Sequence, residues 1–296
     1  MLPTHRKLPQ GLAIASQSAE FWRRLAPDLT ISDAQPVSVA AIDAGARSKM
    51  RIKLVNDGFL KVPPIQPRDV HGKIAKAMNR IAQAGLPTAF IGVYDEVWTL
   101  LADLQPAIDT ILDGHAALVP NFWANHSVDM ATGLGASRRR GGNGVFKDGT
   151  PKNITVWMPL TPATPDNGCV YVVPAGQDRN YGKPERADAA LPGIRALPAM
   201  PGETLIWTGE TYHWQARPER GNRDGALLSL TWEFQHSETE PLEEMVLDSY
   251  PYMPFETRLG LLARQMPRSF KAFSRQPVWR AVQQTLSNRY PLQASV

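Results

Sequence analysis

From Ala116 onward the hydrophobic pattern of this 296-residue chain changes period, and that change constrains the fold more than any other feature. AALVPNFWANHSV, NITVWMPL, CVYVVPA, ETLIWTG, YHWQAR and ALLSLTWEFQ are short runs rich in β-branched and aromatic residues. Turn signals such as TPDNG, MPG and GNRDG separate them. Several short strands at this spacing predict a double-sheet jelly roll or barrel. Trp123, Trp157, Trp207, Trp214 and Trp232 all fall in these runs, which predicts a β core with aromatic walls suited to organic ligands.

The flanks read differently. Val70, Ile74, Met78 and Ile81 recur at spacings of three and four, predicting a helix over 68–83. Val97, Leu100, Leu101, Leu104, Ile108 and Ile111 predict a second over 95–112, which Pro106 should kink or restart. Strands are expected around 37–41 and 51–55, and a turn and short strand in NDGFLKVP at 56–63. The Pro- and Gly-rich stretch 178–201 reads as a long lid or binding loop. PFETRLGLLARQM at 254–266 is the clearest piece of a C-terminal helical extension over about 240–293. The expected organisation is thus one domain over 1–296, with a helical part at about 66–113 and a β core at about 116–236.

A formal charge of +4 is a mild excess, and its single dense run is Arg138–Arg140. Nucleic-acid binders concentrate basic charge in a stripe, so no nucleic-acid partner is expected. The run reads equally as a solvated loop. One cysteine, Cys169, excludes an internal disulfide and fits a reducing compartment. With no long apolar span and no signal-like N-terminus, the expectation is a cytoplasmic protein without a membrane partner.

The stretch KNITVWMPLTPATPDNGCVYVVPAGQ at 152–177, followed by GETLIWTGETYHW at 202–214, resembles the catalytic core of the phytanoyl-CoA dioxygenase-like family. The resemblance extends from about Asp57 to Gln265 and implies a double-stranded β-helix (jelly roll, cupin-like) core with flanking helices, an α+β fold. Members of that family hold Fe(II) with a His-x-Asp pair and a distant His, and anchor 2-oxoglutarate with a basic residue on the last core strand. His-x-Asp chelates because residues i and i+2 of a strand share a face. The resemblance puts His213 at the distant His and Ser137 and Arg139 at the pair, within GASRRRGGNGVFKDG. Ser is a poor ferrous ligand, and Arg139 would aim a permanent cation at the metal position. His126 and Asp129 face opposite sides of a regular strand and chelate together only across a bulge. The cosubstrate anchor falls at Gly225 or Leu227, with Arg223 the nearest cation.

Three readings follow. The first is a repurposed, metal-independent enzyme acting on a small anionic organic substrate, of the kind met in specialised metabolism. In it Arg139 and His213 are the catalytic pair, and Arg138, Asn143, Trp157, Trp207, Trp214 and Arg223 line the substrate site. No cofactor is expected, and His213 is the metal ligand if any metal binds. The second is a non-catalytic ligand-binding or scaffold relative. The third is an active Fe(II)/2-oxoglutarate hydroxylase whose displaced ligands rescue the site.

Overall fold

The runs read as strands pair into two antiparallel sheets. The structure, a computed structural model, describes residues 14–32, 43–65, 68–126, 144–181, 193–216, 225–244, 246–248, 253–269 and 277–291. Its strands are β1 (Phe59–Val62), β2 (Ala116–His126), β3 (Asn153–Pro159), β4 (Val170–Val172), β5 (Arg195–Leu197), β6 (Thr204–Thr208), β7 (His213–Gln215), β8 (Leu228–His236) and β9 (Leu247–Asp248). The larger sheet has the order β1-β6-β3-β8-β2-β9 and the smaller β5-β4-β7. This is the jelly-roll core of an α+β fold.

Alternation along each strand sorts side chains into two layers. Ile154, Val156 and Met158 of β3 stand beside Phe234, Trp232 and Leu230 of β8 and join the main core with Ile206 and Leu118. The helices cover this face. Their order is α1 (Ala19–Leu25), α2 (Ala44–Asp57), α3 (Arg68–Gln83), α4 (Asp95–Ile111), α5 (Phe255–Ser269) and α6 (Pro277–Arg289). The core they build draws on residues from Trp22 to Leu286. On the opposite face Phe59, Trp157, Leu205 and Trp207 meet Val170 and Val172 of the small sheet in a second cluster.

Three expectations need correcting. Residues 51–55 are helical, inside α2, although they read as a strand. Local chemistry decides it. Asp43 caps the helix by accepting from Gly45 N and Ala46 N, and Gly58 ends it in a left-handed conformation (φ 79°). The companion strand expected at 37–41 lies outside the described residues. Helix α4 also runs unbroken through Pro106. Its apolar stripe is buried on both sides of the proline, and that packing outweighs one lost backbone bond. Pro120, by contrast, sits in an irregularity of β2 between Val119 and Phe122, where the missing N–H is harmless. Part of the stretch read as a long loop at 178–201 pairs as β5. No helix of the described residues is long and apolar enough to cross a membrane.

Candidate functional site

His213 opens β7 at the edge of the small sheet. It stands opposite Val172, and Gln215 opposite Val170, so both face inward between the sheets with the valines. Its ring lies 4.7 Å from that of Trp207, tilted by 47°. Nδ1 is 2.9 Å from Thr211 O. A carbonyl only accepts, so Nδ1 carries the proton and Nε2 keeps its lone pair. Burial pushes the imidazole down to about 4, against a smaller upward pull from the Thr211 carbonyl. His213 is therefore a neutral imidazole at physiological pH, with Nε2 able to accept a hydrogen bond.

The turn at 209–212 that presents His213 is fastened on three sides. Thr211 Oγ1 donates to Gly58 O at 2.6 Å and lies 3.1 Å from Thr208 Oγ1, which meets Tyr181 Oη at 2.7 Å. Gly209 N donates to Asn153 O at 3.1 Å. Glu210, fully buried, accepts from Gly144 N at 2.5 Å through Oε1. That contact ties the turn to the start of the 144–152 loop. At Gly58 a methyl group would come within 2.8 Å of Thr211 Oγ1, on a backbone that L-residues rarely adopt. Gly58→Ala is expected to lower stability by about 1–3 kcal/mol and to shift the His213 ring, read by thermal denaturation and imidazole NMR.

Across the larger sheet Trp207, Thr155 and Glu233 form one row of directly opposed residues, all on the inward face. Glu233 Oε2 accepts from Asn121 Nδ2 at 2.9 Å, and the same amide lies 3.4 Å from Glu243 Oε1. Thr155, Glu233 and Trp123 are half-buried, so this side of the interior is polar and partly open. Sequence reasoning missed Glu233. The signal was available: alternation in LSLTWEFQ places Ser229, Thr231, Glu233 and Gln235 on one face.

The structure brings His213, Trp207 and Trp157 into the same inward layer, the two tryptophans as closely packed walls. Trp214 points to the other face, stacked on Tyr171 at 5.7 Å and 12°. Arg138, Arg139, Asn143 and Arg223 lie outside the described residues, as do Ser137 and Asp129. Leu227, at the expected anchor position, is buried in the inner cluster. His126 belongs to the helix-covered face: its Nε2 meets Asn79 Oδ1 of α3 at 3.1 Å.

The sequence of residues 130–147, where the resemblance puts the metal-binding pair, contains no His, Asp, Glu or Cys. Among the described residues, the group of three donors close enough to share an ion is His115, His236 and Glu238, which does not include His213.

A jelly-roll core with an inward imidazole at the start of its seventh strand defines the class: a double-stranded β-helix protein. Residues 143–223 match the model of the family Phytanoyl-CoA dioxygenase (PhyH). No curated relative matches the chain. Among solved structures it is similar to the non-heme alpha ketoglutarate dependent epimerase SnoN from nogalamycin biosynthesis (TM-score 0.49, 14% identity, covering 68% of this chain and 94% of that one). It is also similar to AviO1 from Streptomyces viridochromogenes Tue57 (TM-score 0.49, 15% identity, 69% and 99%). A third is the non-heme monooxygenase ThoJ in its nickel complex (TM-score 0.49, 14% identity, 77% and 99%).

Proposed function

We propose that this protein is an enzyme that keeps the cleft of its family but performs metal-independent chemistry on a small anionic organic substrate. The observation that supports the reading is His213: an inward, neutral imidazole whose Nε2 has no hydrogen-bond partner among the described residues, with no His, Asp, Glu or Cys in residues 130–147. In this reading Arg139 supplies a fixed cation for the anionic group. His213 Nε2, with Nδ1 bonded to Thr211 O, takes a proton from the substrate and returns it to product, the bound anionic group offsetting the desolvation that keeps the free ring neutral. Asn121 Nδ2 donates to Glu233 Oε2 on the same inward face. Trp157 and Trp207 exclude water behind the ring.

The test is anaerobic titration with Fe(II) and 2-oxoglutarate. The expected result is no metal-to-cosubstrate absorption band, and no bound iron whose retention depends on His213. Stoichiometric iron that disappears in His213→Ala, together with 2-oxoglutarate turnover, overturns the proposal in favour of a displaced-ligand hydroxylase.

A further inference from the structure

A second constellation lies at the other face of the larger sheet, and nothing at the His213 site uses it. Helix α4 ends at Ile111, and the chain reverses through Asp113 and Gly114, both left-handed (φ 57° and 81°). The reversal delivers His115 to the threshold of β2. There its carbonyl accepts from Ser237 N at 2.7 Å, and its neighbour Ala116 pairs with His236. His236 and Glu238 form a His-x-Glu step at the end of β8, and His236 N donates to Lys152 O at 2.8 Å.

The three side chains converge. The imidazoles of His115 and His236 stack with centroids 4.6 Å apart at 25°, and His115 Nδ1 is 3.8 Å from Glu238 Oε1. One donor atom from each residue lies within 4.8 Å of the others. His236 is buried, with the Phe146 ring edge-on at 4.9 Å, while His115 and Glu238 are exposed. His236 Nδ1 holds a lone pair, since it accepts from Glu238 N at 3.3 Å, a long bond that a metal ion would displace. Two imidazoles and a carboxylate are the donors that borderline divalent metals favour. The Ser237 N to His115 O bond and the β2–β8 register fix the spacing of the backbone positions, leaving the exposed His115 and Glu238 side chains for the ion to order.

A cleft of about 710 Å³ opens beside them, lined by Asp113, Phe146, Lys147, Asp148, Lys152 and the His236–Glu238 step. His236 shares the strand parity of Trp232 and Phe234, which face the helices, whereas His213 faces the inner layer. The two positions are separate sites.

We propose that His115, His236 and Glu238 bind one divalent metal ion of borderline softness, Zn(II) foremost, with a fourth coordination position open to this cleft. The site is independent of the chemistry proposed at His213. Untagged protein stripped with chelator is titrated with Zn(II) alone by calorimetry. Wild type is expected to bind one tight equivalent and to gain thermal stability from it. His115→Ala and Glu238→Gln, both at exposed positions, are each expected to weaken binding by about tenfold or more and to lose the Zn(II)-dependent gain in Tm. Absence of tight binding by wild type, unchanged affinity in either variant, or loss of binding in His213→Ala overturns the proposal.

Discussion

Arg258→Ala is expected to destabilise the protein by about 3–5 kcal/mol, the cost of stranding a buried carboxylate. Arg258 is fully buried on α5. Its Nη1 donates to Asp95 Oδ1 at 2.5 Å and to Val93 O at 2.9 Å, and its Nε donates to Met253 O at 2.7 Å. Asp95, at the start of α4, also accepts from Ser32 N and Ser32 Oγ, both at 2.8 Å. One guanidinium therefore joins the N-terminal segment, α4 and α5. Alanine removes the cation and three hydrogen bonds but leaves Asp95 buried. Equilibrium urea denaturation measures the loss. A double variant, Arg258→Met with Asp95→Asn, is expected to recover part of it, because no unpaired charge remains. A loss below about 1 kcal/mol for Arg258→Ala would refute the reading.

On the proposed function, His213→Ala is expected to reduce turnover of the proposed anionic substrate by about 10²–10⁴-fold, the range for removing a positioned acid–base group. Added imidazole is expected to restore part of the rate, which a merely structural role would not show. The same ring carries a pH signature. Its folded pKa of about 4 lies below the ordinary 6.5, so the unfolded chain binds the proton more readily. The neutral form's contribution is fully present above pH about 6.5. It is lost as pH falls toward 4 and is constant below that, amounting to about 1–3 kcal/mol in all. In His213→Ala this component of the pH–stability curve is expected to vanish. NMR titration of the imidazole in wild type reads the pKa directly, and a value near 6.5 would remove the basis for a neutral His213.

Much of the β core was legible. The runs at 153–159 and 228–236 alternate and 204–208 is a short continuous apolar run, all within turn-bounded stretches, so local pattern and tertiary pairing ask for the same conformation. Helices α3 and α4 were legible for the same reason, their stripes recurring at three and four. Residues 51–55 were misread because Ile52 and Val55 favour a strand locally, whereas the deciding signals, Asp43 and Gly58, lie outside the run. The continuity of α4 through Pro106 was hidden because the stabilising term is burial against elements distant in sequence.

For the site, the sequence determined the residue inventory. It supplied His213 after ETLIW and left 130–147 without a conventional ligand. Composition alone is enough for that, because side chains that are absent cannot coordinate. Only the tertiary structure decided which way those side chains face and what state they hold. Trp207 was set against His213 and Trp214 on the opposite face by cross-strand register. The carbonyl of Thr211 fixed the imidazole tautomer, and desolvation fixed its charge. His115 stands 121 positions before His236 in the chain, and only the pairing of β2 with β8 brings the two rings into contact. Spacing along a chain reports neighbours within one element, while a constellation drawn from two strands exists only once their hydrogen-bonded register is formed.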